Sequence, residues 1–114
     1  MKKYDEMDIS IKVVVDRGGH KFGPGTSRLL AEIDRCGSVR HAAEAMDISY
    51  GKTWKMIRDV EEALGEPVVE RQQGGPHGGS ASVTEAGHAL IERYDKVVDE
   101  IRKYAEQKFR DTFD

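Results

Sequence analysis

Residues 37–65 read GSVRHAAEAMDISYGKTWKMIRDVEEALG, and their periodicity predicts two helices joined by a tight turn. Ser38 is placed to cap the first helix, its hydroxyl accepting from the backbone N–H groups of the opening turn. Ala42, Ala43 and Met46 follow at helical spacing, and the paired alanines allow close approach of another helix. Asp47-Ile48-Ser49 interrupts the pattern. Ser49 can cap a second helix, on which Thr53, Ile57, Val60 and Leu64 share one face while Tyr50, Gly51, Lys52, Lys55 and Arg58 occupy the other. Gly65 stands where a left-handed residue ends such a helix. Two short helices, a three- or four-residue turn and a cationic exposed face are the layout of a helix-turn-helix.

Working outward, Ile9, Ile11, Val13 and Val15 alternate with Ser10, Lys12 and Val14, which predicts a half-buried strand from Asp8 that Gly18-Gly19 ends. Residues 1–7 are polar and are expected to fray. His20-Lys21-Phe22 suggests a short second strand before the Gly23-Pro24-Gly25 turn. A core helix over Ser27–Arg35 follows, capped by Thr26 or Ser27, with Leu29, Leu30 and Ile33 as its apolar stripe. Downstream of the helix pair, Pro67–Arg71 is β-branched and strand-like, QQGGPHGGSAS is glycine-rich, and Ser82-Val83-Thr84 can return as the paired strand. A hairpin with a long tip directly after a helix-turn-helix is a wing. The alternatives weighed for this run are a disordered linker and a phosphate-cradling loop. The second is disfavoured because no Lys-Ser/Thr and no helix in register follow the glycines.

The last stretch, from Thr84-Glu85 to about Arg110, places Leu90, Tyr94, Val97, Ile101 and Tyr104 at alternating steps of four and three. This is a heptad stripe, widened by Ile91, Val98, Ala105 and Phe109. A helix of that length is longer than the head requires for its own core. The stripe therefore predicts a homodimer through this helix, against the alternative of a helix folded back over its own domain. The fold class expected is α+β, mainly α: a winged helix-turn-helix with an N-terminal strand, divided into a head over residues 1–84 and a C-terminal dimerisation helix over residues 85–114.

The 114 residues carry a net charge of -3, but the charge is unevenly spread. Residues 17–58 hold eight Lys or Arg against four Asp or Glu, and residues 59–114 hold seven against thirteen. A cationic helix pair with an acidic tail suits a nucleic-acid-binding head. The single Cys36 cannot form an intrachain disulfide, no apolar run is long enough to cross a bilayer, and no signal peptide is visible, so a cytoplasmic location is expected. His20, His41, His77 and His88 show no ligand spacing, and no nucleophile–base constellation stands out. No metal, no cofactor and no enzymatic activity are expected.

The residues expected to contact double-stranded DNA are Arg40 and His41 at the start of the first helix of the pair, and Ser49, Tyr50, Gly51, Lys52, Lys55 and Arg58 on the second. Arg71, Gln72, Gln73, His77 and Ser80 join them from the wing. Trp54 reads as a packing residue that braces helix against wing.

Taken together, LLAEIDRCGSVRHAAEAMDISYGKTWKMI and EPVVERQQGGPHGGSASVTEAGHALIERY resemble the N-terminal DNA-binding domain of the molybdate-responsive ModE transcriptional regulators. That domain is a winged helix related to the LysR type. The resemblance covers about residues 11–98 and rests on the combination of LL-x-x-I-D, G-S-V, A-A, Ser49-Tyr50 with Trp54, E-P-x-V-E-R, the glycine-rich wing and V-T-x-x-G. It implies a homodimer whose last helices pair, with recognition helix and wing on DNA. Nothing in these residues resembles the family's molybdate-binding domains, so a stand-alone head is expected, with any effector unknown. The competing expectation is a winged-helix module that binds protein rather than DNA.

Overall fold

The computed structural model of the chain describes residues 3–72 and 79–113. The chain runs β1 (Val15–Arg17), β2 (His20–Phe22), α1 (Pro24–Cys36), α2 (Val39–Ala45), α3 (Tyr50–Leu64), β3 (Val69–Gln72), β4 (Ser80–Val83) and α4 (Glu85–Thr112). Two antiparallel hairpins flank a three-helix head. β1 pairs with β2 in the register Val15↔Phe22 to Arg17↔His20, and β3 pairs with β4 in the register Val69↔Val83 to Gln72↔Ser80. This is the winged helix-turn-helix that the sequence predicts, mainly helical with two small sheets.

The local signals act as expected through the centre of the chain. Ser38 Oγ accepts from His41 N–H at 3.1 Å, and Ser49 Oγ accepts from Lys52 N–H at 3.1 Å. Gly37 and Gly65 end α1 and α3 in the left-handed region, at φ of 69° and 77°. The turn between α2 and α3 is made by Asp47, a non-glycine residue at φ 55°, whose N–H donates to Glu44 O while Ile48 N–H donates to Ala43 O. These bonds satisfy the last carbonyls of α2 and send the chain sharply into α3.

The core lies between α1, α2, α3 and the wing. Leu29, Leu30 and Ile33 of α1, Ala42 of α2, and Thr53, Ile57 and Val60 of α3 are buried, with Val68 sealing the wing side. Thr53 is satisfied by donating its hydroxyl to Ser49 O at 2.9 Å. Truncating one of the large aliphatics here removes about 2–5 kcal/mol.

Several boundaries differ from expectation, each for a local reason. α1 opens at Pro24 rather than Ser27, because proline's fixed φ and missing N–H suit the first helical position. Thr26 and Ser27 are thereby buried inside the helix instead of capping it. The wing strands begin at Val69 and Ser80 rather than Pro67 and Ser82.

The largest difference concerns the N-terminal segment. Residues 8–14 form no strand, because the one partner available, β2, ends at Phe22 where the chain turns into Gly23-Pro24. They run extended along α4. Tyr94 Oη donates to Val13 O at 2.8 Å, and Ile11 and Val13 share a hollow with Ile91, Tyr94 and Val98. Residues 3–7 are likewise not frayed. The Tyr4 ring meets Phe113 edge-on, with centroids 5.3 Å apart.

α4 is a 28-residue helix, about 42 Å long, and it gives the molecule its 60 × 30 × 21 Å extents. Among the described residues no helix is long and apolar enough to cross a membrane.

Candidate nucleic-acid interface

α3 buries Thr53, Ile57 and Val60 and so turns the opposite face outward. Gly51, Lys52, Lys55 and Arg58 are exposed along it. With Met56, Asp59 and Glu62 they line an open groove of about 770 Å³. Gly51 leaves its part of the helix surface bare, since nothing lies within 4 Å of where a Cβ would be.

A second concavity, about 400 Å³, lies between the α1–α2 turn and the wing. Ser38, Arg40, His41, Tyr50, Arg71 and Ser80 line it, with Cys36, Gly37, Val39, Gly79 and Ala81. The wing is fixed against the helices by hydrogen bonds from both of its strands. Ala81 N–H donates to Gly37 O at 2.9 Å. Glu61 of α3 accepts from Val68 N–H at 2.8 Å and from Val69 N–H at 3.4 Å. Across the cleft runs a row of stacked side chains. The Arg40 guanidinium lies 4.6 Å from the Tyr50 ring centroid. Tyr50 and Trp54 meet edge-on at 6.3 Å, and the Arg71 guanidinium lies 4.9 Å from the Trp54 ring centroid. Trp54 thus touches the wing as expected, and its Nε1–H is buried with no hydrogen-bond partner among the described residues.

The expected DNA-contacting residues therefore gather in two adjoining places. Gly51, Lys52, Lys55 and Arg58 share the groove; Arg40, His41, Tyr50, Arg71 and Ser80 share the cleft. Ser49 is occupied as a helix cap, and Gln72 closes the wing register opposite Ser80. Gln73 and His77 lie outside the described residues. Sequence reasoning missed the two carboxylates in the groove, Asp59 and Glu62. Their only sequence signal is the i,i+4 spacing Lys55–Asp59 and Arg58–Glu62.

Those carboxylates face His20 of β2. His20 Nδ1–H donates to Asp59 Oδ1 at 2.5 Å, and Glu62 Oε2 lies 3.6 Å from the same nitrogen. Lys21 N–H donates to Asp59 Oδ2 at 3.2 Å. The hydrogen bond to Asp59, helped by the charges of Asp59, Glu62 and Asp16, raises the His20 pKa above the ordinary imidazole value. The same bond, with the Lys21 N–H and the His20 and Lys55 charges, lowers that of Asp59. The donor atoms of His20, Asp59 and Glu62 lie within 4.8 Å of one another. The fold thus gathers a His and two carboxylates that the sequence spacing does not, and their geometry is that of a hydrogen-bonded ion pair tying the first hairpin to α3.

The heptad stripe divides on α4. Tyr94 is only 5% exposed, stacked edge-on against Phe22 at 5.0 Å, and Leu90 packs partly buried on the core. Burial raises the Tyr94 pKa. Tyr94 is committed to the head, which corrects its expected place in a dimer interface, while Leu90 keeps part of its surface exposed. Val97, Ile101 and Tyr104 are 46%, 42% and 71% exposed.

Residues 26–88 match the family described as bacterial regulatory helix-turn-helix protein, lysR family. The chain is similar to the molybdenum-pterin-binding protein MopB of Rhodobacter capsulatus, 38% identical over 85 residues, which is 75% of this chain and 32% of that protein. It is also similar to the transcriptional regulator ModE of Haemophilus influenzae, 35% identical over 72 residues, or 63% of this chain and 28% of the relative. The DNA-binding transcriptional dual regulator ModE of Escherichia coli K12 is 36% identical over 72 residues, again 63% and 28%. The chain spans about a third of the length of the curated relatives it matches.

Proposed function

Because the chain belongs to the lysR family of bacterial regulatory helix-turn-helix proteins, we propose that it regulates transcription by binding double-stranded DNA as a homodimer, with α3 in the major groove and the wing on the flanking backbone. The observation that carries this reading is the contiguity of the Gly51, Lys52, Lys55, Arg58 face with the cleft between α2 and the wing. A convex helix that presents lysine and arginine beside a second cationic surface matches a major groove and its adjoining phosphates. Lys52 and Arg58 stand where they can reach guanine edges or phosphates, and the bare surface at Gly51 allows close approach. From the relatives we carry over DNA binding, which the shared helix-turn-helix supports, and no molybdenum chemistry.

The dimer is proposed through Val97, Ile101 and Tyr104, which keep the four-three spacing and face solvent. Two α3 helices would then address half-sites about 34 Å apart.

The test is selection of the purified protein against randomised duplex DNA at two salt concentrations. Enrichment of a near-palindrome, with affinity falling as salt rises, is the expected result. No enrichment would sink the proposal and turn attention to protein partners.

A further inference from the structure

We propose that the cleft between α2 and the wing is a phosphate site, filled by a phosphodiester of the DNA backbone. Its two guanidiniums, Arg40 and Arg71, are held in advance by Tyr50 and Trp54 acting as positioning residues. The inference rests on the DNA-binding reading and deepens it. The first ground is charge. No Asp or Glu lines the cleft, whereas Asp59 and Glu62 line the neighbouring groove on α3. A pocket with two guanidiniums, an imidazole and hydroxyls, and no carboxylate, selects an anion over a cation.

The second ground is what the arginines touch. Among the described residues neither Arg40 nor Arg71 takes part in an ion pair, and each instead lies over an aromatic ring, at 4.6 and 4.9 Å. An exposed arginine with nothing to hold it samples many rotamers. Stacking on a ring restricts it without consuming its N–H donors. Tyr50 and Trp54 stand one helical turn apart on α3, and their edge-on contact joins the two stacks into one row from α2 to β3. The row fixes the spacing of two forks whose donors remain available for phosphate oxygens. Arg71 also follows Glu70 on β3, and strand alternation puts that carboxylate on the opposite face of the wing.

The experiment measures binding of the full chain to a random-sequence 25-base-pair duplex over a salt series, for wild type, Arg71→Ala, Trp54→Leu and the double variant. Arg71→Ala is expected to lose about tenfold in affinity at ~0.1 M salt and to reduce the salt slope by about one. Trp54→Leu is expected to lose a similar amount and the same step in slope. The double variant should be no weaker than Arg71→Ala alone, and Trp54→Phe, which keeps a ring, should stay close to wild type. Multiplying losses, or an unchanged slope in Trp54→Leu, would overturn the proposal. If Trp54→Leu does not fold, Tyr50→Leu with Arg40→Ala reads the same coupling on the other side. If wild type binds no duplex, the DNA-binding reading fails, and the cleft is judged on its own by inorganic phosphate. Trp54 is the only tryptophan, so its emission reports the row. A phosphate-dependent change that Arg71→Ala abolishes supports the site. No change, or the same change in the variant, overturns it.

Discussion

Lys52, Lys55 and Arg58 are ordinary exposed cations, and what singles them out is position. The capped start of α3 and its three buried residues leave them no other direction to face. Lys52→Ala or Arg58→Ala should therefore weaken duplex binding several-fold and flatten its salt dependence, with the oligomeric state unchanged in a sizing measurement. His20 and Asp59 give a pH prediction of definite sign. The raised pKa of His20 makes its contribution to stability complete below about pH 6.5 and lost as pH rises through the folded value. The lowered pKa of Asp59 makes its contribution complete above about pH 4 and lost on acidification. The link between the first hairpin and α3 is thus strongest between those limits and fades as pH rises through the raised imidazole value. The difference in thermal midpoint between wild type and His20→Ala should shrink as pH is raised from 5.5 to 8.5, and a constant difference would refute it.

At the scale of elements, the wing and α4 meet at Gly87. A Cβ there would lie 2.6 Å from both Val68 O and a Val83 methyl, so Gly87→Ala forces strand and helix apart. It should cost about 1–3 kcal/mol, seen as a lower denaturant midpoint. The helix-turn-helix was legible in the sequence because its determinants are local. Ser38, Ser49, Gly37 and Gly65 act on backbone groups within four residues of themselves. The two-place division of the candidate site was less legible. It depends on Arg71 and Ser80 reaching Arg40 across the fold, and on a tertiary pairing of Asp59 and Glu62 with His20 that no spacing announces. The N-terminal segment misled for a related reason. Alternation at Ile9, Ile11, Val13 and Val15 reports an extended chain with one sheltered side, but a helix can provide that shelter as well as a sheet. The same holds for α4, where the heptad pattern records that Tyr94 is buried and Leu90 partly so and cannot say by what.

For the whole molecule, the division of α4 into a portion buried by the head and a portion facing solvent sets the assembly proposed. Val97, Ile101 and Tyr104 are exposed, so replacing one does not open the core. Ile101→Glu should yield a folded monomer by sedimentation and weaken binding to a two-half-site duplex far more than to a half-site. A variant that stays dimeric would remove α4 from the interface. The contact between Tyr4 and Phe113 has a different kind of consequence. Positions more than a hundred residues apart in sequence are neighbours in space, so the path of the chain is nearly a closed ring. Such a ring can be cut elsewhere. A circular permutant, with the two ends joined by a short linker and new termini opened at Gly18-Gly19, should fold to the same structure and unfold in one cooperative step.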